Sequence, residues 1–172
     1  MGKKKYVAYV GTYTHGTSKG IQVYDVDVEN GTLTERSEVE VSNASHLAVS
    51  KNGKYLYSIE DEGVAVFERD ENGDLSRINS VDINGMRGCY LATDVDGRYL
   101  YVAGYHDGKV TVVHTHKDGR LGSVMDGVFH KGLGSVAERN FRPHVNCVRP
   151  TPDNKYLCAV DNGIDRSEER RV

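Results

Sequence analysis

The residue types best able to do chemistry in this chain sit close together late in the sequence. Arg139, Asn140, His144 and Asn146 fall within eight residues of one another. A histidine can take up a proton near neutral pH, and an arginine can hold a phosphate or carboxylate through two parallel N–H donors. An asparagine can donate or accept a hydrogen bond but cannot take up a proton. Each also has a plainer reading: His144 as a hydrogen-bonded histidine at the start of a strand, Arg139 as a solvated arginine in a polar insertion. His114 and His116 share one face of a strand and could contribute two metal ligands, but no third accompanies them, and a solvent-facing strand edge accounts for them equally. Cys89, Cys147 and Cys158 are odd in number and lack a CxxC spacing, so neither a disulfide framework nor a zinc knuckle is indicated. Glu60, Asp61 and Glu62 read as a solvated acidic loop, and His15, His46, His106 and His130 stand alone on loops or strand surfaces. No phosphate-binding glycine loop, Gly-x-Ser-x-Gly or His-Glu-x-x-His is present.

The elements that position these groups emerge from an internal repeat. Lys54–Ile59, Arg98–Ala103 and Lys155–Val160 repeat a basic-Tyr-Leu opening, each behind a turn: Lys51-Asn52-Gly53, Val95-Asp96-Gly97 and Pro152-Asp153-Asn154. Gly53 and Gly97 are 44 residues apart and Asn154 follows 57 later, which places an insertion of 13 residues within Phe129–Asn140. A second set, starting at Gly20, Gly63 and Gly108, leads through Asn30-Gly31, Asn72-Gly73 and Asp118-Gly119 turns to Leu33, Leu75 and Leu121. Alternating β-branched and aromatic residues between Asn-Gly and Asp-Gly turns predict half-buried strands joined as hairpins. Four antiparallel strands per unit of this length are the pattern of a β-propeller blade. The sequence predicts an all-β chain, a partial β-propeller of about three and a quarter blades with thirteen strands, and an irregular, disordered tail over 166–172. Ten residues ahead of the three turns lie Asn43, Arg87 and His144, and eight ahead lie Ser45, Cys89 and Asn146. These pairs begin the innermost strand of each unit and share a face, so their polar groups are expected to converge on the propeller axis.

Tyr9-Val10-Gly11-Thr12-Tyr13-Thr14, Gly104-Tyr105, and the stretch from Gly132-Leu133-Gly134 through Arg139, Pro143-His144-Val145-Asn146 and Thr151-Pro152-Asp153 to Asp161-Asn162-Gly163-Ile164-Asp165 resemble the lactonase family. The resemblance covers residues 6–165, in register with the N-terminal half of that family's seven-bladed propellers. It implies cofactor-free hydrolysis of a sugar lactone, typically 6-phosphoglucono-1,5-lactone in the pentose phosphate pathway. A base must activate water, donors must hold the oxyanion, and cations must hold the phosphate. Carried onto this chain, His144, Asn146 and Arg139 are the candidate catalytic residues, with Arg87, Asn43 and Tyr105 as candidate substrate-binding residues. Three departures bear on activity. The family's Arg-Gln-x-x-x-His-x-His pattern has Asn140 for its glutamine and Asn146 for its second histidine, and Gly104 stands where relatives commonly carry asparagine. With family strands beyond the fourth blade unmatched, the resemblance implies an impaired lactonase. The alternative is a non-catalytic propeller fragment or protein-binding scaffold.

Composition agrees with a folded domain of residues 1–165. Hydrophobic residues make up 38% and charged residues 27% of the chain, and the net charge of −3 gives no footprint for nucleic acid. The apolar run after Lys3–Lys5 ends at Val10, too short for a membrane span or a secretory core. A cytoplasmic protein with a small-molecule lactone substrate, no nucleic-acid or membrane partner, no cofactor and no metal is expected. Open blade edges are expected to favour self-association.

Overall fold

A computed structural model of the chain describes residues 5–135 and 141–171. Among these residues there is no helix, and fourteen strands form four antiparallel sheets. The first sheet contains β1 (Tyr6–Gly11), β2 (Gly20–Asp27) and β3 (Thr32–Glu40). The second runs β4 (Leu47–Val49), β5 (Tyr55–Glu60), β6 (Gly63–Arg69) and β7 (Leu75–Asp82), and the third β8 (Tyr90–Thr93), β9 (Tyr99–Gly104), β10 (Lys109–Thr115) and β11 (Leu121–Phe129). The fourth contains β12 (Val145–Pro150), β13 (Tyr156–Asp161) and β14 (Arg166–Arg171). Within every sheet the strands follow chain order, as successive hairpins require.

The repeated turn has a common physical cause. Ser50 Oγ, Asp94 Oδ1 and Thr151 Oγ1 each accept the backbone N–H of the tyrosine five residues on, Tyr55, Tyr99 or Tyr156, at 3.0, 3.1 and 3.1 Å. The side chain thereby mimics a backbone turn. Gly53 and Gly97 take φ near 70°, and Asn154 takes the same left-handed conformation at 58°, which asparagine tolerates. A register shift falls at the same place in three units, between Val23 and Tyr24, Val66 and Phe67, and Val112 and Val113, where a bulge adds twist to the outer strands.

The sheets pack face to face. On β5 and β6, Leu56, Ala65 and Phe67 pack toward the first sheet with Ile21 and Val41, while Tyr57, Ile59, Val64 and Val66 pack toward the third with Leu91, Leu100 and Val102. Tyr101, Ala103 and Val110 meet Val145, Val148, Leu157 and Ala159 of the fourth. The predicted half-buried strands are therefore buried on both faces in β5, β6 and β9, because each of these sheets is covered on either side by another. The tyrosine pairs Tyr55/Tyr57 and Tyr99/Tyr101 pack between sheets, as their spacing indicates. Strands β4, β8 and β12 form the inner edges, and β8 adjoins both β4 and β12.

The expectation of a disordered tail fails. Arg166–Arg171 pairs with β13 along its whole length, from Asp161↔Arg166 to Tyr156↔Arg171. Its sequence RSEERR lacks apolar alternation because backbone ladder bonds, rather than side-chain burial, hold it in place.

Candidate active site

The sequence-derived residues lie where the chain leaves one strand of a sheet and turns into the innermost strand of another. Two clusters form there.

The first is built on Asp61, just after β5. Asn43, buried and at φ 49°, donates its amide to Asp61 Oδ1 at 2.7 Å and accepts the Thr14 N–H at 2.9 Å. Arg87 Nη1 donates to the same Asp61 oxygen at 3.1 Å, and its guanidinium lies 5.2 Å from the centre of the Tyr13 ring. The Asn43 amide, followed by Arg87, holds the Asp61 carboxyl below the usual carboxylate range. Asn43 thus braces the loop with both ends of its amide, whereas Arg87 keeps donors beyond this contact and is the cation presented at this rim. The acidic loop is not merely solvated, since Glu60 also accepts from Arg77 at 2.7 Å.

The second cluster is built on His144, immediately before β12. Its ring stacks on Tyr105 with centroids 4.4 Å apart and planes 18° from parallel. His144 Nδ1 lies 2.7 Å from the Tyr105 carbonyl oxygen, which can only accept, so Nδ1 carries the proton. In the neutral ring Nε2 then holds the free lone pair. The His144 backbone N–H donates to Asp161 Oδ1 at 2.7 Å, as does Gly163 N–H at 2.9 Å. Gly163 is required: a Cβ there would stand 1.9 Å from the Arg142 carbonyl oxygen and 2.8 Å from His144 Cδ2.

Asn146 follows on β12 with Oδ1 buried and without a hydrogen-bond partner among the described residues, and Ser45 Oγ, at the matching position of the second sheet, is in the same condition. Cys89, the third member of this set, points its thiol at the Val145 carbonyl oxygen at 3.4 Å. Burial pushes that thiol up to about 11, which removes it as a nucleophile at neutral pH. Arg139 lies outside the described residues. The structure thus unites His144 with Tyr105 and Arg87 with Asn43, and Cys89 bridges toward β12 between the two clusters.

Sequence reasoning missed Asp161 and misplaced His130. His130 is buried, not a loop or strand-surface residue, and its Nδ1 lies 2.8 Å from Asp161 Oδ2. The signal was available in the repeat: Asp161 ends β13 where Glu60 ends β5 and Gly104 ends β9, and a charged residue at a buried strand end needs partners. His46 is also structural. Its Nδ1 accepts the Leu91 N–H at 3.2 Å, its ring lies 4.3 Å from Tyr90, and burial holds it below the usual histidine range. His114 and His116 lie 4.7 Å apart, with no third ligand beside them among the described residues. Two larger clefts, of about 510 and 700 Å³, lie between the third and fourth sheets and beside the repeated turns, and neither is lined by His144 or Arg87.

Antiparallel sheets packed face to face with their inner strands adjoining, and polar residues gathered where those strands begin, define a β-propeller. The family described as "Lactonase, 7-bladed beta-propeller" matches residues 7–167, and the chain belongs to that family. It is 38% identical over 168 residues to the 6-phosphogluconolactonase of Bacillus subtilis strain 168, covering 94% of this chain and 48% of that protein. The periplasmic gluconolactonase PpgL of Pseudomonas aeruginosa superposes with a TM-score of 0.91 at 31% identity, covering 98% of this chain and 50% of that one. A Lactobacillus plantarum protein superposes at 0.86 with 32% identity, again over 98% and 50%. The chain spans about half the length of the curated relatives it matches.

Proposed function

We propose that this chain carries part of a lactone-hydrolysing site acting on a phosphorylated sugar lactone, 6-phosphogluconolactone, in the pentose phosphate pathway. The observation that carries this reading is the fixed ring of His144. With Nδ1 bonded to a backbone carbonyl, Nε2 is left to take a proton from water. The water oxygen bonds to the lactone carbonyl carbon, the bond from that carbon to the ring oxygen breaks, and the proton passes from His144 to the departing alkoxide. Arg87, steadied by Asp61 and Tyr13, supplies a cation for the phosphate, and Arg139 is assigned the same task on the family pattern alone. Asn146 offers an amide where the family pattern has histidine, which suits oxyanion donation and limits acid–base work. The relative named 6-phosphogluconolactonase supports the substrate class.

The free thiols agree with a cytoplasmic location, although the Pseudomonas relative is periplasmic. Self-association belongs to the same proposal, supported by β1 and β14, which lie at sheet edges. Asn146 also favours a second reading, a non-catalytic propeller that binds without turnover.

The test is hydrolysis of freshly generated 6-phosphogluconolactone, corrected for spontaneous opening, by the chain and by His144→Gln and Asn146→His. The expected result is activity that falls by about 10²–10⁴-fold in His144→Gln. An unchanged rate in that variant overturns the assignment of His144. No activity in any of the three proteins favours the second reading.

A further inference from the structure

The segment joining β11 to β12 begins at His130 and ends at His144, and both histidines close on one carboxylate. Asp161 has a fully buried side chain. One of its oxygens accepts the N–H groups of His144 and Gly163, and the other accepts His130 Nδ1–H. The His130 backbone N–H donates to the Gly108 carbonyl oxygen at 2.9 Å, and the Glu168 carboxylate of β14 lies 3.8 Å from its Nε2. Its side chain is 2% exposed. A buried carboxylate with only two amide donors on one oxygen leaves the other unsatisfied. Such a group rotates or draws in water, and His144 would move with it.

We propose that His130 is a positioning residue for the candidate base. Through Asp161 it fixes the backbone of His144, and with it the Nδ1–Tyr105 hydrogen bond that aims Nε2. The functional meaning rests on the reading of His144 given above, while the geometry stands without it.

The experiment is ¹⁵N–¹H correlation spectroscopy of the histidine rings in the full chain, with His46 as an internal reporter of folding because its opposite tautomer is fixed by the Leu91 N–H. In the unmodified chain His144 is expected as a single Nδ1–H tautomer. In His130→Phe, which keeps the volume and removes the donor, His144 is expected to average between tautomers while His46 is unchanged. In His130→Asn, whose amide nitrogen can occupy the place of Nδ1, the single tautomer is expected to return. A locked His144 in His130→Phe overturns the proposal. If His130→Phe loses His46 as well, His130→Asn decides: native His46 with a locked His144 supports the proposal. Native His46 with an averaged His144 overturns it, because a donor restored at that place does not restore the lock, and loss of both signals overturns it by showing that His130 maintains the fold and does not direct the base. Where the chain hydrolyses lactone, His130→Phe is expected to lower kcat by about 10²-fold with KM kept. Absence of hydrolysis would count against the functional reading and leave the ring spectra to judge this one.

Discussion

Replacing Asp161 separates charge from hydrogen bonding at the base of the site. The wild-type carboxylate accepts three donors, from His144 at 2.7 Å, Gly163 at 2.9 Å and His130 at 2.8 Å, with its side chain fully buried. Asp161→Leu leaves all three unsatisfied. Each orphaned donor costs about 1–3 kcal/mol. Relaxation reduces the simple total, so the expected loss is about 3–5 kcal/mol, the range for breaking a buried pair. Asp161→Asn behaves differently. Its Oδ1 can keep both backbone N–H groups while its Nδ2 donates to His130, provided that ring surrenders the Nδ1 proton and carries Nε2–H toward Glu168. What is lost is charge assistance, about 1–2 kcal/mol. Urea unfolding followed by far-ultraviolet circular dichroism measures both. Against a typical stability of roughly 5–15 kcal/mol, the leucine variant should be severely weakened and the asparagine variant clearly folded. A leucine variant within about 1 kcal/mol of wild type, or an asparagine variant as unstable as leucine, would refute the claim that three convergent donors define this position.

Two further outcomes follow from burial. Because burial depresses the His46 pKa and its unprotonated Nδ1 accepts from Leu91, the unfolded chain binds a proton there more readily than the folded one. Its contribution to stability is complete above the unfolded value of about 6.5 and declines as pH falls below it, a slope that urea midpoints should show and that His46→Gln should flatten. Cys89, pushed from 9.0 to about 11, should hold roughly a hundredfold less thiolate than an ordinary thiol near pH 8. Iodoacetamide labelling read by mass spectrometry should therefore leave Cys89 far behind a small-molecule thiol, and equal rates would contradict its burial.

How far the sequence could be read depended on what held each element. The turns at Gly53, Gly97 and Asn154 were legible because a positive φ restricts residue type, so the same small set recurs at each one. Counting back from those turns led to Arg87 and His144 because the repeat keeps a constant distance from turn to inner strand, although both residues lie ahead of β8 and β12 and not within them as expected. β14 was illegible for the converse reason: RSEERR is ordered by ladder bonds to β13, which carry no side-chain signature. His130 was misread because a histidine thirty-one residues from its partner has no local mark of pairing.

Asp161 shows where repeat logic itself runs out. It occupies the same register as Glu60 and Gly104, yet only in the fourth sheet does the strand end meet a longer connection, and that connection places a histidine at each end of itself. At the end of β5 the site loop is braced instead by the next residue, Asp61, an exposed carboxylate on Asn43 and Arg87. The two clusters therefore solve one problem, holding a turn into an inner strand, with carboxylates in opposite solvent environments. On the function proposed above, the exposed one would leave its arginine adjustable for a phosphate, and the buried one would fix its histidine for proton transfer. That division is testable by exchange of sensitivity: salt should weaken substrate binding through Arg87 while leaving the ring geometry of His144 unchanged, because only the exposed pair is screened. A salt-dependent tautomer at His144 would show that the buried carboxylate does not isolate it.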